Sequence, residues 1–381
     1  MLFLFVLSCA LVAYGTLYPF DFTPGAPAGG VLGALASSLG GGAGVGDTFS
    51  NVVLFLPVGF FAMQSLLRRA PRVLGIACAT LLGALFSFGI EFAQCYLPDR
   101  VPSGNDLALN TAGAFLGALA GCPDWRARLS QLRPGRPAAL SPLLLVGAWL
   151  GYRLFPYVPT LDVQQVKDAL KPLLSAGLPP LDIVRHLIVT LAAGRLLAAL
   201  TESSRAFPAI LALPLGVIAA KPFIMTKTIQ PAEAVGVALG VLACWILFSR
   251  LCLEANGAIA LLLALQIAIQ GVFPFAVRDT PQMFSLIPFV GFEGGSMALN
   301  LQSFFEKTFL YGAMVWLAVE SGWSLLLAVL SGVFLLTAIE FLQTFMDGRV
   351  SEVTDPLIAV ILGAVFYFCD LRARDDARDA W

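Results

Sequence analysis

Two sets of polar residues stand in otherwise apolar sequence at the same spacing. The first is Glu91-x-x-Gln94, followed by Arg100 and Asp106; the second is Glu340-x-x-Gln343, followed by Arg349 and Asp355. One shift of 249 residues, Glu91 to Glu340, relates them, and it also carries Asn51 onto Asn300 and Phe55 onto Phe304. Residues three or four apart share a helix face, which pairs Glu91 with Gln94 and Asp106 with Asn110. These types supply carboxylate acceptors, amides that donate and accept, and an arginine able to make bidentate, charge-assisted bonds to a carboxylate. A charge inside a membrane helix costs roughly 2.5–3.5 kcal/mol on insertion scales. Two readings therefore stand side by side: a salt-bridge clasp that fixes a loop onto helix ends, or a pocket for a polar headgroup. The candidate ligand-binding residues are Asn51, Glu91, Gln94, Arg100, Ser103, Asp106 and Asn110, with Asn300, Glu340, Gln343, Arg349 and Asp355 in the second set.

The surrounding sequence shows what must hold them. Of 381 residues, 58% are hydrophobic and only 12% charged, about half the charge of a soluble domain. Too few charges remain to cover a soluble surface, so lipid must cover it. A spanning helix needs about 20 mostly apolar residues. Twelve stretches qualify: 2–19, 49–67, 73–97, 105–122, 140–157, 181–200, 206–224, 233–253, 257–276, 303–320, 323–345 and 354–370. The predicted fold is an all-α membrane protein of about twelve transmembrane helices. Lys and Arg near helix ends set orientation. Arg68, Arg69 and Arg72, then Arg126, Arg128, Arg133 and Arg136, then Arg195, Arg205 and Arg250, and the tail with Arg372, Arg374 and Arg378 fall on one side. That places both termini in the cytoplasm and the polar sets at the outer face. Asp162 to Ser175 is too polar to span and suggests an amphipathic helix on the outer surface. The Gly/Ala/Pro-rich stretch from Pro24 to Gly46 is expected to be an irregular loop.

The repeat divides the chain into four-helix units at 1–122, 123–255 and 256–381. The middle one is degenerate. A shift of 127 places Lys221 where the first unit has Gln94, Lys227 for Arg100, Glu233 for Asp106 and Gly240 for Gly113, while Ile218 takes the Glu91 position. Tyr18-Pro19-Phe20, Phe155-Pro156 and Phe273-Pro274-Phe275 end the first helix of each unit. Gly113, Gly117 and Gly121 form a stripe of small residues that lets another helix approach closely.

The Tyr-Pro-Phe exit, the run Asn51 to Gly59, Glu91-x-x-Gln94 and Arg100-x-x-Ser103-x-x-Asp106-x-x-x-Asn110-x-x-Gly113 together resemble the VanZ-like family over residues 1–122. The last unit departs from that pattern: Glu306 and Thr308 replace Pro57 and Gly59, Glu352 replaces Ser103, and Ala359 replaces Asn110. The resemblance implies a multi-pass protein of the bacterial inner membrane with an envelope-related role, in a family named for low-level resistance to the glycopeptide teicoplanin. It brings no reaction with it.

Three functions from different classes fit these residues. One is a non-enzymatic protein that binds a lipid headgroup, glycan precursor or glycopeptide at the outer leaflet. Another is a secondary transporter, for which repeats and many helices are typical and Gln266 and Gln270 are the best mid-helix polar residues. The third is a membrane-embedded transferase or hydrolase using Glu91 or Asp106 as a base. No catalytic residues, metal ligands or cofactors are expected. The seven cysteines form no C-x-x-C pair, and His186 is the one histidine, so both read as packed core residues. A net charge of −1 gives no bulk field for nucleic acid. The expected partners are membrane lipids and an envelope glycan or glycopeptide.

Overall fold

The computed structural model describes residues 1–23, 30–38, 45–98, 100–123, 140–175, 177–201, 203–250, 254–292 and 297–371. The basic loop from Arg126 to Arg136 and the tail from Arg372 lie outside the described residues, as do the side chains of Arg205 and Arg250. Apart from three isolated β-bridges, every element described is helical. The chain divides into two compact units, residues 1–128 and 129–381.

The first unit contains α1 (Leu2–Leu17), α2 (Gly30–Ser37), α3 (Val45–Ser65), α4 (Arg72–Gln94) and α5 (Gly104–Gly121). Its closest pair is α3 on α5, and glycine makes that possible. A Cβ on Gly113 or Gly117 would overlap the carbonyl of Val52 or Leu56, so the two backbones touch where side chains would otherwise stand. Phe55, Val58, Ile90 and Val12 fill the space beside this seam. The stretch from Pro24 to Gly46 is not all irregular: α2 occupies Gly30–Ser37 and α3 already begins at Val45. Leu35 of α2 is buried. With Val31, Leu32 and Leu35 among its small residues, this segment forms about two turns of helix where its glycine content suggested a loop.

The second unit contains α6 (Ser141–Leu154), α7 (Val163–Leu170), α8 (Pro172–Ser175), α9 (Pro180–Leu200), α10 (Ser203–Ala220), α11 (Pro231–Arg250), α12 (Glu254–Val272), α13 (Met297–Glu320), α14 (Leu325–Gln343) and α15 (Thr354–Phe366). Here α9 packs on α11, α6 on α13, α12 on α13 and α14 on α15. The amphipathic segment is helical from Val163 to Leu170 and breaks before Pro172, where the ring has no N–H to continue the ladder.

A helix lies in each of the twelve apolar stretches. Among the described residues six helices are long and apolar enough to cross a membrane: Thr48–Ser65, Arg72–Gln94, Pro180–Leu200, Ala206–Phe223, Ala255–Val272 and Leu325–Gln343. Their outward faces are apolar. Leu81, Leu85 and Phe92 on α4, and Leu326, Leu330 and Phe334 on α14, are all exposed. Water does not tolerate such continuous apolar faces on a monomer, whereas lipid does.

One local structure occurs three times. At Tyr18-Pro19, Phe155-Pro156 and Phe273-Pro274 a cis peptide ends the preceding helix, and the next residue has a φ of 65°, 60° and 63° at Phe20, Tyr157 and Phe275. Each of those residues donates its amide back to the carbonyl three positions earlier: Phe20 to Leu17 at 2.9 Å, Tyr157 to Leu154 at 3.0 Å and Phe275 to Val272 at 2.8 Å.

Candidate functional site

In the first unit the polar set links the ends of four helices. Glu91, only 2% exposed near the end of α4, accepts from the Ser103 amide through Oε2 at 2.8 Å. Ser103 in turn caps α5, its Oγ accepting from the Asp106 amide at 3.2 Å. The cap satisfies one of the first amides of α5, which have no partner within the helix. Asn51 on α3 donates from Nδ2 to Asp106 Oδ1 at 2.8 Å. Gln94 donates from Nε2 to the Thr16 carbonyl at 3.1 Å, and Arg100 donates from Nη2 to the Tyr18 carbonyl at 3.2 Å. Deeper in, Asn110 Nδ2 donates to Ser87 Oγ at 3.0 Å, while the buried Asn110 Oδ1 has no hydrogen-bond partner.

The second set repeats the core of this arrangement. Glu340, also 2% exposed, accepts from the Glu352 amide through Oε2 at 2.9 Å. Gln343 donates to the Gly271 carbonyl at 2.9 Å, and Arg349 donates to the carbonyls of Gln270 and Phe273 at 2.9 and 2.6 Å. In both sets, then, the glutamate holds a loop amide, while the glutamine and arginine hold carbonyls at the end of another helix. The bonds that Arg100 and Arg349 make here run to backbone carbonyls, whereas the clasp reading had an arginine bonding carboxylates. A helix ending in a turn leaves orphan carbonyls, and those took the guanidinium donors.

The sets differ elsewhere. Asp355 binds Lys307 Nζ at 2.5 Å and Tyr311 OH at 2.5 Å, whereas its counterpart Asp106 binds Asn51. Asn300 lies on α13, two turns before Lys307. Glu352, standing where the first unit has Ser103, accepts from the Gly291 amide at 2.9 Å.

The positions that should correspond in the middle of the chain hold a buried charge cluster. Glu233 is bonded by Lys221 Nζ at 2.5 and 2.6 Å and pairs with Arg153. Arg153 also approaches His186 Nδ1 at 3.3 Å, so His186 is a half-buried, hydrogen-bonded histidine. Lys227, in the connection before α11, donates to Gln302 at 3.1 Å. Its burial, and after that the charges of Lys221 and Arg153, push its amine down to about 8.

A cavity of about 770 Å3 lies within the second unit. It brings Glu340, Gln343, Arg349 and Asp355 to one space, together with Lys307 and Tyr311. Sequence reasoning missed Lys307, Tyr311, Arg153, Ser38 and Ser87. Two of these left a signal: Lys307 and Arg153 are charges inside apolar runs. Ser38, which accepts from the Gly104 amide at 2.7 Å, and Ser87 left none.

Residues 5–122 match the family model described as VanZ/LLP1. That stretch is VanZ-like, and it holds the whole of the first polar set. No curated protein and no solved structure matches the chain.

Proposed function

We propose that this VanZ-like membrane protein binds the polar headgroup of an envelope amphiphile at its outer face: a lipid, a lipid-linked glycan precursor or a glycopeptide. It does so without catalysing a reaction. In this reading the chain crosses the bacterial inner membrane twelve times, keeps both termini in the cytoplasm, and consists of three tandem four-helix units, the middle one degenerate. The repeated exit turn at Phe20, Tyr157 and Phe275 supports three units. The repeated bonds of Glu91 and Glu340, Gln94 and Gln343, and Arg100 and Arg349 support a common origin for the first and last.

One observation carries the binding reading. The second-unit cavity, about 770 Å3, is of ligand size and gathers the carboxylates of Glu340 and Asp355 on its wall. A cavity walled partly by convergent polar groups and partly by apolar side chains is what an amphiphile's headgroup needs. The test is thermal stability of the purified chain with envelope lipids or teicoplanin added, for wild type and Glu340→Gln. The glutamine keeps an oxygen for the Glu352 amide, so the fold is retained. A ligand-induced shift in wild type that shrinks in the variant is the expected result. Absence of any shift in wild type overturns the reading.

A secondary transporter is favoured by one feature, the buried Gln266 on α12, which lies away from the helix end. Uptake into proteoliposomes above the protein-free control would select it.

A further inference from the structure

The polar groups on the second-unit cavity wall differ in what they have left to offer. Arg185 is paired with Glu306, Lys307 with Asp355, and Arg349 donates to the carbonyls of Gln270 and Phe273. Every cation on the wall is thus engaged. Five acids line the cavity, Asp182, Glu306, Glu340, Glu352 and Asp355, against those three bases. An anionic headgroup would meet five acids against three bases, two of which an acid already holds.

Gln266 is the opposite case. It is 6% exposed, lines the cavity, and neither its Nε2 nor its Oε1 has a hydrogen-bond partner. Buried amides are normally satisfied, and the exceptions call for an explanation. A ligand hydroxyl that donates to Oε1 and accepts from Nε2 meets both needs of this amide. Glu340 adds an acceptor for a second hydroxyl, because Oε2 alone is taken by the Glu352 amide. Gln266 stands six residues before the end of α12, roughly 9 Å along the helix at 1.5 Å per residue.

The exposed part of the lining has different chemistry. Leu181 and Val184 of α9, and Leu262, Leu265 and Ile269 of α12, line the same cavity and are exposed on the helix flanks. A polar floor reached through apolar lips on membrane-height helices suits an amphiphile that enters sideways.

We propose that this cavity seats one lipid with an uncharged, hydroxyl-rich headgroup, a glycosylated lipid, whose sugar bonds Gln266 and Glu340 and whose chains leave between α9 and α12. The proposal rests on the headgroup-binding reading above and narrows it to a ligand class.

The test is retention of lipid by the full chain. The protein is reconstituted in nanodiscs holding equal parts monoglycosyl diacylglycerol, phosphatidylglycerol and phosphatidylethanolamine. It is then transferred to an amine-oxide detergent and weighed by native mass spectrometry. Wild type should retain one glycolipid, at least tenfold over either phospholipid. Gln266→Leu should lose that retention tenfold or more with its melting temperature kept or raised, and Gln266→Met serves if the leucine variant does not fold. Retention unchanged in both Gln266 variants overturns the proposal. So does equal or better retention of a phospholipid, although headgroup binding itself then survives. Methyl glucoside that displaces the lipid at equimolar concentration also overturns it, because the apolar mouth would play no part. If wild type retains no lipid and no glycopeptide shifts its stability, the headgroup reading falls as well.

Discussion

Glu233 offers the sharpest test of how the second unit holds its charges. Arg153, Lys221 and Glu233 are 5%, 8% and 2% exposed, so two cations share one buried carboxylate. Replacing Glu233 with Gln leaves both cations without a counter-charge. Removing one partner of a buried pair costs about 3–5 kcal/mol, chiefly because the remaining charge stays desolvated. Lys221→Met should behave quite differently. It leaves Arg153 paired one-to-one with Glu233 and removes a like charge bonded to the same oxygen, Oε1. Its effect should stay within about 1 kcal/mol of wild type, the range of a well-tolerated polar-to-apolar exchange of similar volume. Replacing all three with Leu or Met should be neutral or stabilising by about 1–4 kcal/mol.

The assay is equilibrium unfolding in mixed micelles with rising dodecyl sulfate, followed by Trp fluorescence. Trp149 is fully buried on α6, one turn from Arg153, and reports on this site. The decisive quantity is the order of the variants rather than any single value. If Lys221→Met costs as much as Glu233→Gln, the lysine is not a surplus cation, and the charge count behind this reasoning is refuted.

Three further outcomes follow from the same physical reasoning. Gly117→Val should force α3 and α5 apart, since even a Cβ there overlaps the Leu56 carbonyl, and should cost at least about 1–3 kcal/mol; Gly147→Ala, with open space at that point, is the silent control in the same melts. Glu91→Leu and Glu340→Leu should each cost about 1–3 kcal/mol by orphaning a buried loop amide, whereas the Gln variants stay near wild type; a silent Leu variant in either set would show that its loop bond does not matter. Lys227, with its amine at about 8, is half neutral at pH 8, where an ordinary lysine is roughly 0.4% neutral. Brief acylation at that pH should modify Lys227 ahead of the other lysines, as read by peptide mass spectrometry. The same depression makes the folded state bind fewer protons than the unfolded one between about pH 8 and 10, so stability should rise with pH through that window.

The helices were legible because lipid imposes a simple demand: long apolar runs, each with its backbone bonded internally. All twelve stretches hold a helix, and the Gly113–Gly117–Gly121 stripe packs where its spacing said it would. The pairing of Glu91 with Ser103 and of Asn51 with Asp106 was half legible. The spacing brought those residues to one end of the unit but did not say which donor met which acceptor. The arginines show why. A guanidinium prefers a carboxylate in isolation, but Arg100 and Arg349 lie beside helix ends with orphan carbonyls; the Tyr18-Pro19 and Phe273-Pro274 exits mark those ends, yet nothing local joins them to arginines 82 and 76 residues away. Arg153, a lone charge, and Lys307, beside Glu306, could have been found as charges in apolar runs. Their partners, Glu233 and Asp355, lie 80 and 48 residues away, and no local rule reaches that far.

The two sets also separate scaffold from specificity. Residues that match at the shift of 249 each make bonds inside the protein. Gln94 and Gln343, and Arg100 and Arg349, are committed to helix-end carbonyls, and Glu91 and Glu340 each commit one oxygen to a loop amide. Glu340, Gln343, Arg349 and Asp355 line the cavity, and residues that do not match join them there: Lys307 and Tyr311 stand where the first unit has Val58 and Ala62, and Glu306 where it has Pro57. The shared motif therefore acts as a frame that fixes loop to helix ends, and under the proposed headgroup reading the unshared positions are the ones expected to tune ligand choice. Placing Val and Ala at Lys307 and Tyr311 together should leave the Glu340–Glu352 bond intact while stripping Asp355 of both partners. If ligand preference is unchanged in that variant, specificity resides in the shared motif after all, and the division drawn between frame and pocket is wrong.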